Sequence, residues 1–413
     1  MFDKEIEMKV LHIVPWYEPA WSAGGTATAV SILCRSLAKQ GVDITVYTTD
    51  DAGQDKRLKI PLVQPVVLGK VKVFYFKCKF IGNYKSAFYS RGLSRALKEN
   101  IKNFDLVHIS GARHWHGYKA VKLAHKHKIP VMFTAHGSLM NSSILEIGNI
   151  WLKKLYISFF DKRVLKKVSA FHFLCEGERE ASVNSTFNKP SFIASNGIDI
   201  HYFRRDKNTR FHLRKKYNLD DKSIALIYTG RIHPVKNLHL IIEALNKINS
   251  NSNEKIYFFI VGAVSDISYL EFLNNLISKK IKENIIFIKS VPPKKIVEWY
   301  TMADLFVMPS KVEGVSMSLI EAMSSSLPCL VSDRVANFRE IQKDKAGMIV
   351  KPNLESVTAA LKKILKNKSL LKKLSENARR TAEKRYDKEI TVKKILKEYE
   401  KILRNERNTK NIK

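Results

Sequence analysis

Cysteine, long apolar runs and acidic side chains are all in short supply in this sequence. Its four cysteines in 413 residues, Cys34, Cys78, Cys175 and Cys329, stand far apart, and none forms a C-x-x-C pair. That argues against a zinc site or a disulfide framework and fits a reducing compartment. No stretch reaches the roughly 18 apolar residues of a membrane-spanning helix. The longest, IYFFIVGAV at 256–264, reads as a buried strand. The start, MFDKEIEMKVLHIV, carries acidic residues and no apolar segment ahead of a small-residue cleavage site, so it does not read as a signal peptide. Because MKVLHIV already enters the first strand, the expected start of translation is Met1 or, equally, Met8. Short repeats and low-complexity tracts are missing. No D-x-D spacing occurs, which argues against a divalent-metal site. Only 39 Asp and Glu stand against 72 Lys and Arg, for a net charge of +33. Such a cation is drawn to nucleic acid, anionic lipid or phosphorylated substrates, and a lysine-rich composition bias gives the same total. No motif for reading DNA or RNA is present, and the lysines are spread rather than gathered.

What the sequence does have is alternation. The segments VLHIV (10–14), DITVYTT, DLVHIS (105–110), IPVMFTAHG (129–137), SAFHFLC (169–175) and PSFIAS (190–195) read as strands. Helical spacing fills the gaps, beginning with TATAVSILCRSLAKQG, which ends at a plausible glycine C-cap, Gly41. NGIDIHYF (196–203) and the polar RRDKNTR mark a boundary, after which the alternation restarts with SIALIYTG (223–230). The reading is α/β: an N-terminal domain over 1–204, a second over 205–384, and a helical segment at 385–413 that returns to the first. Each domain is expected to be a doubly wound parallel sheet, binding its ligand outside the carboxyl ends of its strands, with the cleft between the two as the expected site.

Two stretches carry the chemistry. In YTGRIHPVKNLHLIIEAL (228–245), a buried strand ends at Gly230, followed by Arg231 and Lys236, and a helix begins near Asn237. Arginine offers a planar fork to phosphate, lysine a compact charge, and a helix start adds oriented amides. Together they suit a diphosphate; alone, two such cations are more often solvated. In PSKVEGVSMSLIEAM (309–323), Glu313 sits beside a glycine after a strand, and Glu321 lies about two turns into the helix that follows. A carboxylate accepts two hydrogen bonds and suits vicinal hydroxyls. Alone, the pair is as well explained as helix-start and surface glutamates.

GRIHPVKN followed by EGVSMSLIEAM…LP resembles the retaining glycosyltransferases of family 4, which have two facing Rossmann-like domains, the GT-B architecture. The resemblance covers nearly the whole chain. PAWSAGGTATAV resembles the glycine loop of that family, FTAHGSLM its histidine loop, NGIDIHYF the inter-domain segment, and AGMIVKPN (346–353) the segment after the donor site. It implies that Arg231 and Lys236 neutralise the donor diphosphate, that Glu321 binds ribose hydroxyls and that Glu313 contacts the transferred sugar. It places His136, with Gly137 beside it, at the reacting centre, and gives Gly24 and Gly25 close backbone approach to diphosphate and acceptor. It implies no cofactor and no metal, a nucleoside-diphosphate sugar as co-substrate, and the leaving phosphate oxygen as the acceptor's base. Two positions depart from the pattern: Ser326 stands where glycine is common, and ANFRE lacks the glycine pair before Glu340.

KVKVFYFKCKFIGNYKSAFYSR (70–91) and WLKKLYISFFDKRVLKK (151–167) interleave lysines with aromatics, a pattern suited to an anionic bilayer surface. With the net charge, they lead to the expectation of a cytoplasmic protein, peripheral at the inner face of the membrane, acting on a glycan or polyprenyl-linked acceptor in surface polysaccharide or lipopolysaccharide assembly, with no nucleic acid as partner. The competing readings are a nucleotide-sugar epimerase of the same build, a basic nucleic-acid-binding protein and a non-catalytic partner subunit.

Overall fold

The computed structural model describes residues 8–53, 56–81, 84–140, 161–182, 188–249 and 255–411. The chain divides into two units, Met1–Gly197 with Lys388–Lys413, and Ile198–Asp387. The boundaries expected at 204/205 and 384/385 therefore shift, with 198–204 and 385–387 both in the second unit. Hydrogen bonding accounts for this. Ile198 N donates to Tyr386 O at 2.8 Å, Arg379 donates to Ile200 O at 2.9 Å, and Tyr202 OH donates to Lys294 O.

In the first unit the strands are β1 (Lys9–Ile13), β2 (Asp43–Thr49), β3 (Asp51–Gly53), β4 (Lys56–Arg57), β5 (Pro65–Leu68), β6 (Val71–Phe76), β7 (Lys79–Ile81), β8 (Tyr84–Tyr89), β9 (Leu106–Ser110), β10 (Val131–Thr134), β11 (Ala170–Phe173) and β12 (Ser191–Ile193). Eight form one sheet, ordered β12-β11-β10-β9-β1-β2-β6-β5, parallel except for edge strand β5. The ribbons β3–β4 and β7–β8 and the β5–β6 hairpin do not emerge from the alternation alone. Successive side chains point to opposite faces. Val10, Leu106, Met132 and Ala170 pack on one face beneath the helices Gly25–Lys39 and Lys388–Asn411, the latter burying Val392, Ile395, Tyr399 and Ile402. Leu11, Val107, Phe133 and Phe171 pack on the other.

The second unit holds β13 (Ile224–Thr229), β14 (Ile256–Val261), β15 (Ile285–Ile288), β16 (Leu305–Met308), β17 (Cys329–Ser332) and β18 (Gly347–Val350). All pair in parallel, in the order β15-β14-β13-β16-β17-β18. This is the doubly wound order, which reverses direction between β13 and β16 and opens a crevice at their carboxyl ends. The strands are near-continuous apolar runs because helices cover both faces.

The basic-aromatic stretch at 70–91 needs correction within its described part. Val71, Val73, Tyr75 and Phe76 are buried in the sheet core, and Lys72 pairs with Asp43. Val71, Val73 and Tyr75 pack on one covered face of the sheet and Phe76 on the other, with Phe74 half-buried, so residues 71–76 present no continuous apolar face to a bilayer. Residues 151–160 of the second stretch lie outside the described residues; in the helix Lys162–Leu165, Val164 and Leu165 are buried. Among the described residues no helix is long and apolar enough to cross a membrane.

Candidate functional site

The second unit gathers its expected residues at the switch between β13 and β16. After Thr229 the chain passes Gly230 and Arg231, and His233 caps a single 3-10 turn, Pro234–Lys236, its ring accepting from Val235 N at 3.2 Å. Asn237 is buried in the left-handed conformation and donates to Pro309 O at 3.1 Å, and the helix Leu238–Asn249 starts after it. Lys311 N donates to Val235 O at 2.8 Å, tying the loop after β16 to this turn. The result is an ion pair between Lys236 and Glu313, with side chains 13% and 19% exposed. Glu313 is held at the backbone as well: its N–H donates to Arg334 O and its carbonyl accepts from Ala336 N. Arg231 is exposed. Its charge and that of Glu313 both reach the Tyr228 phenol, whose hydroxyl donates to Arg231 O at 3.0 Å.

Glu321 lies just over one turn into the helix Met317–Ser324, not two. It is a recessed carboxylate rather than a surface one. Tyr300 OH, 2.6 Å from Thr229 Oγ1, donates to Glu321 Oε2 at 2.9 Å. Burial pushes the Glu321 pKa up to about 7, and the Tyr300 hydrogen bond offsets part of that rise. Thus Glu321 is joined through Tyr300 to the last residue of β13, on the same edge as Arg231, Lys236 and Glu313. The helix start beside them has no side-chain cap from Ser316, leaving amides available to an anion.

In the first unit, Gly24 has φ +115, a region that other residues rarely adopt, and Gly25 opens the helix Gly25–Lys39. His136 follows β10 and takes a left-handed backbone with φ +50, as does Gly137 at φ +77. Such a conformation at a histidine persists only where the surroundings impose it. Here Glu178, fully buried, accepts from Gly137 N and, at 2.6 Å, from Leu174 N. Burial raises the Glu178 pKa to about 7, against the pull of those two amides. His136, Thr134 and His172 line a cavity of about 10 Å³ with Ala29, Val30 and Leu33 from the helix that begins at Gly25, room for about one water.

Beneath the histidine loop lies a polar belt in an apolar core. His12, His108, Ser110, Thr134 and His172 share one sheet face because each falls at the alternate position of its strand, in register His12↔His108, Ser110↔Thr134 and Thr134↔His172. Burial drives His12 and His136 down to about 3, His172 to about 4 and His108 well below its ordinary value, so all four stay neutral at pH 7. One chain of hydrogen bonds then has a fixed direction. The Ala194 carbonyl can only accept, so His172 Nε2–H donates to it at 2.7 Å, and Nδ1 accepts from the Thr134 hydroxyl at 2.8 Å. Thr134 in turn accepts from His108 Nε2–H at 2.7 Å, and His108 Nδ1 accepts from Tyr399 OH at 2.6 Å.

Several of these residues escape motif reading. Glu178 sits in an unremarkable acidic stretch, CEGERE, and Tyr300 in an ordinary helix. Gly262 directly follows β14, and a Cβ there would stand 1.9 Å from the Gly230 carbonyl oxygen, so the chain after the two strands touches through backbone alone. The histidine belt does leave a trace: VLHIV, DLVHIS and SAFHF each place one histidine inside an apolar strand.

Residues 23–202 match the family model Glycosyltransferase Family 4, and residues 209–381 match Glycosyl transferases group 1. The chain is 25% identical over 252 residues to the O-antigen biosynthesis glycosyltransferase WclY of Escherichia coli, covering 57% of this chain and 63% of that protein. The first curated relatives are matched over only 54% to 63% of their own length. Among solved structures, sucrose-phosphate synthase of Thermosynechococcus elongatus aligns with a TM-score of 0.77 at 16% identity, covering 96% of this chain and 100% of that one. Anabaena Alr3699/HepE, solved in complex with UDP, aligns with a TM-score of 0.73 at 13% identity, covering 95% and 100%. The two family models between them account for most of the sequence, and the chain belongs to the group 1 glycosyl transferases, with a family 4 amino-terminal half and the GT-B fold.

Proposed function

We propose that this chain transfers a sugar, with retention and without a metal ion, from a nucleoside-diphosphate sugar to a glycan or polyprenyl-linked acceptor in bacterial surface polysaccharide synthesis. The observation that carries the reading is the Lys236–Glu313 pair at the switch point of the second sheet, with Arg231 exposed beside it. Breaking the sugar–phosphate bond builds negative charge on the leaving diphosphate. Arg231, Lys236 and the uncapped amides at Met317 are fixed donors of positive charge, and they act most strongly when that charge has developed. Glu313, displaced from Lys236 by the diphosphate, accepts from hydroxyls of the transferred sugar. Glu321, oriented by Tyr300, accepts from the ribose. His136 is assigned to the transferred sugar by the resemblance to family 4. The name of WclY supports a polysaccharide product, and HepE in complex with UDP supports a nucleotide donor. The net charge of +33 supports work at the anionic inner face of the cytoplasmic membrane.

A thermal-shift screen against UDP, GDP, ADP and CMP, with and without EDTA, tests this directly. Ligand binding to the native state raises its stability by mass action. The expected result is a shift with one nucleoside diphosphate that EDTA leaves intact. Loss of the shift on chelation, restored by Mg²⁺, contradicts the metal-free mechanism; silence with all four, together with no turnover, contradicts donor binding.

A further inference from the structure

We propose that Ser110 and His12 are positioning residues for His136: the Ser110 hydroxyl donates to His136 Nε2, holds the ring as the Nδ1–H tautomer, and so makes His136 a hydrogen-bond donor to the bound sugar nucleotide. The role at the sugar nucleotide rests on the transfer reading above; the tautomer assignment does not.

The geometry is a branch point. Ser110 Oγ lies 2.9 Å from His12 Nε2 and 3.2 Å from His136 Nε2. A hydroxyl has one proton and two lone pairs, and among the described residues the two Nε2 atoms are the only side-chain partners of Ser110 Oγ, so its proton is placed only if one ring accepts it while the other donates. The choice is made on the far side of His12. There the Nδ1 atom meets Cys34 Sγ at 3.4 Å, and His12 and Cys34 are both fully buried. Burial pushes the Cys34 thiol far up, so it keeps its proton.

Suppose Ser110 donated to His12. His12 would then carry its proton on Nδ1, with only a thiol sulfur to receive it. Sulfur is a weak acceptor, and a buried N–H without a proper acceptor is rare and costly. In the opposite direction every proton of the fully buried groups meets a nitrogen or oxygen lone pair, and only the half-buried His136 keeps an open N–H. The Cys34 thiol donates to His12 Nδ1, His12 Nε2–H donates to Ser110, and Ser110 O–H donates to His136 Nε2. His136 then carries its proton on Nδ1, which has no partner among the described residues. The loop is locked twice, at the backbone by Glu178 on Gly137 N and at the ring by Ser110. In this state His136 can donate to a hydroxyl or phosphoryl oxygen, but its one lone pair is already engaged, so it is no general base.

The test uses the full chain labelled with ¹⁵N-histidine. Long-range ¹H–¹⁵N spectra at pH 7 distinguish protonated from unprotonated ring nitrogens, and His136→Gln assigns the signals. The expected pattern is His136 protonated on Nδ1 and His12 on Nε2. Protonation of His136 on Nε2 overturns the proposal. In Ser110→Ala the His136 ring is expected to lose its single tautomer, and in Ser110→Thr to regain it; an unchanged His136 in the alanine variant also overturns it. Turnover should follow the same order, with kcat down about 10- to 100-fold in Ser110→Ala, KM changing less, and recovery in Ser110→Thr. A wild-type protein that binds no nucleotide sugar yet shows the Nδ1–H spectrum would sink the transfer reading and leave the tautomer assignment standing.

Discussion

Replacing Lys236 by alanine separates two roles of one side chain. In the free protein Lys236 neutralises Glu313, and the two side chains are 13% and 19% exposed. Exposed pairs contribute about 0–1 kcal/mol, and breaking a fully buried pair costs about 3–5 kcal/mol. This recessed pair falls between, so Lys236→Ala should destabilise the chain by about 1–2 kcal/mol and leave it folded. Turnover should fall much further. Removing one preorganised donor from a developing oxyanion typically lowers kcat by about 10²–10³-fold, or ~3–4 kcal/mol. Glu313→Ala should behave differently. It frees Lys236 from its internal partner, so nucleoside diphosphate alone should bind as tightly as to wild type or more so, while kcat falls because the sugar loses its acceptor. Urea denaturation gives the stabilities, calorimetric titration the nucleotide affinity, and steady-state transfer the kcat. A folded Lys236→Ala protein within about threefold of wild-type kcat, under ~0.7 kcal/mol, refutes the assignment. So does a Glu313→Ala protein with weakened nucleotide binding and normal turnover.

Three further variants test the scaffold. The pKa of Glu178 is near 7 in the folded chain against 4.5 for the free side chain, so the folded state holds an extra proton between those values and its stability falls as pH rises through that window. At 1.36 kcal/mol per pH unit the gap amounts to about 3 kcal/mol. The stability of wild type relative to Glu178→Gln should therefore drop by that order between pH 4.5 and 8, and a pH-independent difference in urea midpoints would contradict it. Gly262→Ala forces a Cβ against the Gly230 carbonyl and should destabilise the second unit by about 2–4 kcal/mol in denaturant titration; a neutral effect would show that the strand ends are looser than described. Ser326 is held at φ +55, a conformation costing an L-residue about 1–2 kcal/mol. Glycine there loses about 0.4–1 kcal/mol through the unfolded chain, so Ser326→Gly should gain about 0.5–1 kcal/mol in urea, and a destabilised variant would count against strain at this turn.

What the sequence made legible is what periodicity and punctuation encode. Apolar runs such as IALIYT and IYFFIV gave the parallel strands because burial on both faces leaves no polar alternation to hide them. The cations and carboxylates after β13 and β16 were legible through their shared resemblance to family 4; taken alone they read as solvated charge. Neither signal reports partners. That Lys236 meets Glu313, or that Glu321 leans on Tyr300, depends on how loops from separate strands close on one another. The same limit applies to Ser326: its departure from the family pattern is visible in the letters, but the left-handed backbone behind it is not. The hairpin of β5 and β6 and the ribbons β3–β4 and β7–β8 were missed because short edge strands carry little periodicity.

The two units deal with charge in opposite ways, and the proposed chemistry gives a reason. At the carboxyl edge of the second sheet, cations are left recessed or exposed with one carboxylate between them, an arrangement that an arriving diphosphate improves. In the first sheet four histidines are kept neutral by burial and by each other, although any of them charged would add a further cation to an already basic chain at no cost in composition. A reaction that leaves positive charge on the anomeric carbon is opposed by an imidazolium beside the sugar and helped by a neutral N–H that fixes its orientation. Solvated histidines could not be relied on for that, because their ordinary pKa near 6.5 leaves a charged fraction near pH 7. Placing the ring over a buried belt, with its lone pair already taken by a serine hydroxyl, removes the charged state altogether. On this argument the belt's apolar surroundings serve the chemistry as much as the fold, and admitting water or a carboxylate beside His12 or Ser110 should lower transfer even where nucleotide binding survives.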